Sequence, residues 1–193
     1  MNIGRNDIDW RNLSHDEIDR IIAERIEADD RRIEASGGKK PKRVGYILER
    51  IAEINNLREA DREAQDGKVK KNRFIRRHNL HPEEDLRALQ LMILTLDFPA
   101  PDYSVMKVRS DAGKVRDIVK QKYFPWRILH HAIMRVIGED IYKSLIYDTS
   151  ACIKGKGLHF GVRRMKSFLR RYPEYKWFVK TDFKKFYQSI LHE

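Results

Sequence analysis

Asp182 closes the strand-like run Trp177-Phe-Val-Lys-Thr-Asp182 and is followed almost at once by the helix-like run Lys184-Lys-Phe-Tyr-Gln-Ser-Ile-Leu191. A carboxylate at the end of a buried strand, with basic and aromatic residues behind it, suits a metal that handles phosphates. Magnesium takes hard carboxylate oxygens and completes its shell with water and substrate phosphate, so one protein acid holds only part of such a site. Other metal chemistry is poorly supplied. His130 and His131 are adjacent on a helical stretch and point in different directions, so they do not form a ligand pair. Cys152 is the single cysteine, which excludes an internal disulfide and a cysteine-built zinc site.

Two segments carry cations in patterns suited to phosphate. In the first, Val105, Lys107 and Arg109 alternate with Met106 and Val108. After the turn Ser110-Asp-Ala-Gly113, Lys114, Arg116 and Lys120 are set against Val115 and Val119. The alternation over Ser104 to Gln121 predicts a two-stranded hairpin with one basic face. Such a face holds a triphosphate through the planar fork of arginine and the point charge of lysine, or it is an exposed hairpin with ordinary solubilising charges; spacing leaves both readings open. The second segment is Lys154-Gly-Lys-Gly157, followed by a helix with Arg163, Arg164, Lys166, Arg170 and Arg171. Glycines let backbone approach phosphate and a helix start offers free amides. The spacing is not that of a Walker A loop, and a simple turn before a solvated basic helix is the competing reading.

The elements that position these residues follow from periodicity. Ser14-His-Asp-Glu17 has capping-box spacing, and Ile18, Ile21, Ile22, Ile26 and Ile33 follow a helical period behind it. Gly37-Gly38 and Lys39-Lys-Pro-Lys-Arg43 read as a linker to a second helix over about Val44 to Gln65. A polar basic stretch, Asp66 to Arg77, precedes a third helix that starts at His81-Pro82-Glu-Glu84, with Leu86, Leu89, Met92, Ile93 and Leu96 as its buried stripe. Pro125 introduces a long helix whose stripe Leu129, Ile133, Val136, Ile137 and Ile141 reads as core.

Charge separates the chain into two parts. Residues 1 to 35 carry six Lys/Arg against ten Asp/Glu, a net of −4, which leaves +15 of the overall +11 for residues 36 to 193. An excess of that size favours a polyanion, most often nucleic acid, over a merely solvated surface. The basic segments lack the extended apolar face that a membrane surface takes up. The longest apolar run, Leu89 to Leu96, is far shorter than the roughly 20 residues of a membrane helix, and no apolar signal core stands near Arg5, Asp7, Asp9 and Arg11. A cytoplasmic location is expected.

Four blocks, in order, resemble the N-terminal half of a prokaryotic reverse transcriptase of the kind found in diversity-generating retroelements and group II introns. They are Arg116-Asp-Ile118, Trp126-Arg-Ile-Leu-His-His-Ala132, Ile146-Tyr-Asp-Thr-Ser-Ala-Cys-Ile-Lys-Gly-Lys-Gly157 and Val179-Lys-Thr-Asp-Phe-Lys-Lys-Phe-Tyr-Gln-Ser-Ile190. The resemblance covers about residues 48 to 193 and is most specific in the last seventy or so. It implies an α+β chain, with mostly helical fingers carrying the basic hairpin, followed by the first strand and helix of a right-hand polymerase palm. The corresponding division is a charged N-terminal helical extension and linker over 1–40, fingers over 41–174 and the start of the palm over 175–193.

In such enzymes a primer 3′ hydroxyl attacks the α-phosphate of a dNTP while two magnesium ions stabilise the attacking and leaving oxygens. The resemblance makes Asp182 the first metal-binding aspartate, the Phe183 carbonyl a further ligand, and Tyr187 the aromatic gate against a ribose 2′ hydroxyl. Lys107 or Arg109, with Arg116, embraces the triphosphate; Lys114, Arg127, Lys154, Lys156, Arg163 and Arg164 face nucleic acid. RNA template, DNA primer and dNTP are the implied partners, with an accessory protein as a further one and no membrane. Many family members have Asp-Arg where this chain has Trp126-Arg127, and Cys-Arg-Lys-Gly where it has Cys152-Ile153-Lys154-Gly155. No Tyr-x-Asp-Asp block lies within the 193 residues. The expectation is therefore an N-terminal portion of a polymerase, inactive alone. Two other readings are a non-catalytic nucleic-acid-binding module derived from the fingers and a protein-interaction module built on the acidic N-terminal helix.

Overall fold

The computed structural model describes residues 8–36, 44–70, 72–100, 102–109, 113, 115–183 and 186–190. The chain divides into two compact units, Met1–Ile141 and Tyr142–Glu193. The described residues are largely helical with one antiparallel hairpin, an α+β composition. Among them, no helix is long and apolar enough to cross a membrane.

The first unit begins with a 3-10 turn at Trp10–Asn12 and helix α1, His15–Ala35. The capping box forms as expected: the Glu17 amide donates to Ser14 Oγ, and Ser14 N donates to Glu17 Oε2 at 2.8 Å. Ile18 and Ile22 are buried in the core and Ile21 and Ile26 pack against it, so α1 is a packing helix. Near its end lies buried Asp29, which accepts from Gly45 N at 2.9 Å, Arg50 Nη2 at 3.1 Å and Arg32 Nε at 3.0 Å. Burial disfavours its charge, but the bonds from Arg32, Gly45 and Arg50 outweigh burial and hold the carboxyl below its ordinary range. Position 45 must be glycine for this approach, because a Cβ there would lie 2.9 Å from Asp29 Oδ1.

The single helix expected over Val44 to Gln65 is two: α2, Ile47–Ala52, and α3, Ile54–Gln65. Glu53 is the break, at φ −55° and ψ 128°. Asn56 accounts for a carbonyl freed there, since its Nδ2 donates to Ile51 O at 3.1 Å and also to Ala132 O at 3.2 Å. Within the stretch read as merely polar, Arg73–His78 forms a short helix, α4, whose first turn is capped by Asn72 accepting from Phe74 N at 2.9 Å. Helix α5, Pro82–Thr95, starts where proline and three acids predict it. It buries Leu86, Leu89, Ile93 and Leu94, whereas Leu96 is exposed as the left-handed C-cap. Buried Gln90 ties the bundle together, donating to Asp19 Oδ1 and Ala52 O at 3.0 Å each.

Strands β1, Tyr103–Arg109, and β2, Val115–Gln121, form the expected hairpin. The register corrects the idea of one basic face. Directly opposed residues share a face, so Lys107 (opposite Asp117) and Arg109 (opposite Val115) lie on one side. Lys120 (opposite Ser104) and position 116 (opposite Val108) lie on the other. Lys114 lies outside the described residues.

Beyond β2 the chain turns through Tyr123–Arg127 into α6, Ile128–Ser144. Its buried residues are Ile128, Leu129, Ala132 and Gly138; Ile133 and Val136 pack against the core, and Ile141 is exposed. The base of the hairpin is fixed by a buried polar knot. The Tyr123 hydroxyl donates to Asp61 of α3, and His78 of α4 lies between two carboxylates. His78 Nδ1 is 2.6 Å from Asp85 Oδ2, while Nε2 is 3.2 Å from Asp61 Oδ1, in ion-pair range but without hydrogen-bond geometry. Burial opposes charge on both residues. Even so, the flanking carboxylates raise His78, and His78, Tyr123 and Gln65 lower Asp61. Burial, with Asp61 alongside, pushes the Tyr123 hydroxyl up, so the phenol stays a neutral donor.

The second unit holds helix α7, Leu158–Arg171, and a 3-10 turn at Phe186–Ser189. None of its described residues is buried. The strand expected over Trp177 to Asp182 is an extended segment with no ladder partner among the described residues, and Trp177 is 93% exposed. A lone extended segment leaves its backbone donors and acceptors to water, which is why the sequence pattern alone does not make it a strand. The helix expected over Lys184 to Leu191 appears as the 3-10 turn; residues 184, 185 and 191 lie outside the described set.

Candidate nucleic-acid interface

Lys156 and Arg164, two of the residues expected to face nucleic acid, are drawn together around one tyrosine. Lys156 Nζ donates to Tyr147 O at 2.6 Å and sits 4.8 Å from the Tyr147 ring centre and 5.0 Å from that of Phe160. The Arg164 guanidinium lies 5.1 Å from the Tyr147 ring centre and 4.9 Å from that of Phe168. It also holds Asp148 through two nitrogens, and that contact lowers the Asp148 carboxyl and raises the guanidinium. Cations over aromatic faces are attracted by the ring quadrupole. Here the two cations bind the Tyr147–Asp148 segment to the start of α7. Gly157, at φ 136°, turns the chain into that helix, and the Gly161 amide donates to its carbonyl at 3.0 Å.

Arg163 is placed differently. With Lys166, Ser167, Arg170 and Arg171 it lines a shallow groove along one side of α7. The three- and four-residue spacing produces this stripe. No carboxylate lines the groove among the described residues, so four cations meet solvent together. Rows of cations without intervening acids are the pattern that attracts polyanions. Lys166, Arg170 and Arg171 were visible in sequence as helix charges; their 163-166-170 spacing is the signal that separates them from inward-turned Arg164. Lys154 is exposed in the preceding turn.

In the first unit, Lys107 and Arg109 are exposed on one hairpin face, and Arg127 is exposed at the head of α6. The hairpin register places position 116 on the face away from Lys107 and Arg109.

Asp182 and Phe183 are exposed in the second unit. Tyr187 belongs to the 3-10 turn. No group of three or more His, Cys, Asp or Glu side chains that would hold a metal occurs among the described residues. One carboxylate and one carbonyl supply two of about six oxygens that magnesium takes, so the described residues do not fit a complete magnesium site. What they offer is charge: an exposed cationic hairpin and an exposed cationic helix face. No protein-family model matches the chain, and no curated protein matches it.

Proposed function

We propose that the chain binds nucleic acid as the fingers portion of an RNA-directed DNA polymerase of the reverse transcriptase type. The observation that carries this reading is the ordered run of four blocks, the last of which, Val179 to Ile190, contains Asp182. The cation-lined face of α7 and the hairpin supply the phosphate-facing surfaces that such fingers require. In this reading Arg163 and Lys154 engage strand phosphates, Lys156 and Arg164 brace the surface that presents them, and Lys107 and Arg109 serve an incoming triphosphate. Asp182 contributes one metal ligand of a site whose other carboxylates are not among those described. The nucleic-acid-binding module is the second reading, favoured by the cation-lined groove of α7, which needs no metal to hold phosphate.

A primer-extension assay with the 193-residue chain on an RNA template, paired with RNA binding over a salt series, tests both. Binding that weakens steeply with salt, without dNTP incorporation, is the expected result and fits either reading. Incorporation lost on Asp182→Ala would establish the polymerase reading over the module and overturn the expected inactivity. RNA affinity no greater than that of an acidic protein of similar size would sink both.

A further inference from the structure

A cavity of about 730 Å³ opens in the first unit where the ends of α3 and α4 meet the base of the hairpin and the head of α6. Its size falls within the range of roughly 300–1,000 Å³ typical of small-ligand sites. Lys68, Arg73, Lys120, Lys122 and Arg127 line it. Among the described lining residues Asp102 is the only acid, and it is held by Lys122 at 2.5 Å. Four positive charges therefore remain uncompensated around one concave surface.

The remaining lining gives the cavity a second character. Phe74 is 40% exposed, and the Arg73 guanidinium lies 4.9 Å from its ring centre. Tyr123 also lines the cavity, and its hydroxyl is taken up by Asp61. An aromatic face next to clustered cations matches a ligand that carries a planar base and several phosphates. A simple carboxylate would neutralise one or two of the cations and leave the ring unused.

We infer that this cavity is a nucleotide-binding site, in which Lys120 and Arg127 hold phosphates and Phe74 stacks the base. Lys68 and Arg73 extend the phosphate-binding wall on the side of α3 and α4. The phosphates and base come either from a free nucleoside triphosphate or from consecutive nucleotides of an RNA strand, which share the chemistry. The site does not depend on the polymerase reading, because neither Asp182 nor the 107/109 face of the hairpin takes part in it.

The test uses the full chain and two probes, magnesium-free ATP and a single-stranded oligouridylate, with affinities measured by calorimetry and anisotropy at fixed salt. The variants are Lys120→Ala/Arg127→Ala and Phe74→Ala, with Arg31→Ala on the exposed side of α1 as the control, each checked for an unchanged thermal midpoint. Exposed lysine and arginine positions tolerate such truncation. ATP binding that falls about tenfold or more in the cavity variants and not in the control establishes a free-nucleotide site. No ATP binding, with oligouridylate affinity reduced about tenfold by the cavity variants, establishes a strand site. Equal affinities of the parent and cavity variants for both probes would overturn the inference. A parent chain that binds ATP but no RNA would sink the polymerase-fingers reading and leave this site standing.

Discussion

At the scale of single residues, His78 is the most consequential side chain that the sequence left unremarked. It is buried between Asp61 and Asp85, with the Tyr123 ring 5.4 Å away and the Phe124 ring 6.2 Å away, and the two carboxylates favour its charged form. Its pKa is raised from the ordinary 6.5, so the stability it adds is fully present below that value and is lost as pH rises through the folded pKa. Asp61 has the opposite sign: lowered from 3.8, it contributes above that value and loses its contribution as pH falls through the folded pKa. The denaturation midpoint of the chain should therefore decline as pH rises above the ordinary histidine value of 6.5 and through the raised folded pKa. His78→Gln should lower the midpoint at the acid end and flatten this decline, as a urea titration at several pH values will show. An unchanged slope in the variant would remove His78 as the titrating group. Asp61→Ala strands the imidazolium between fewer partners and should cost about 3–5 kcal/mol, the usual scale for breaking a buried pair.

At the scale of elements, α7 separates two jobs that its composition blends. Arg163 and Arg164 are neighbours in sequence, but they point about 100° apart on a helix: one lines the open groove and the other holds Asp148 under two aromatic rings. Arg163→Ala should leave circular dichroism unchanged and reduce the slope of log affinity against log salt for single-stranded RNA by about 0.7, the share of one phosphate contact. Arg164→Ala should instead loosen the attachment of residues 147–156, seen as faster limited proteolysis there. Equal effects of the two on binding with none on proteolysis would contradict the division. This distinction was not legible in the sequence, because pairing with Asp148 depends on a turn sixteen residues upstream. The capping box at Ser14, the start of α5 at Pro82 and the existence of the hairpin were legible, since each rests on neighbours along the chain. The break at Glu53 was not, because Asn56 compensates it partly through a carbonyl of α6, and neither was the two-faced placement of hairpin cations, which a one-residue difference in register decides. The run ending at Asp182 has the alternation of a strand, yet pairing requires a neighbour that local pattern does not supply.

At the scale of the whole molecule, the opposed charges of the N-terminal 35 residues and the remainder suggest a detachable acidic arm, and the packing argues otherwise. Trp10, Ile18 and Ile22 are each almost wholly buried, and Asp29 anchors Gly45 and Arg50 across the following segment. Burying a large apolar side chain contributes about 1.5–3 kcal/mol, so the two isoleucines alone contribute about 3–6 kcal/mol before the tryptophan and the Asp29 bonds are considered. A domain has a net stability of only about 5–15 kcal/mol. Removing residues 1–36 would thus take away a large part of the margin and deprive Arg50 of Asp29 and Asp30, its two carboxylate partners. Apart from buried Asp29 and from Asp19, which holds Arg87 and Gln90, the acidic residues of α1 are exposed on the solvent side of a structural helix. A chain of residues 37–193 should melt well below the full chain, or show no cooperative transition, in a circular-dichroism scan. A shared melting temperature would mean that α1 is an appendage and would return the acidic helix to the role of a partner-binding arm.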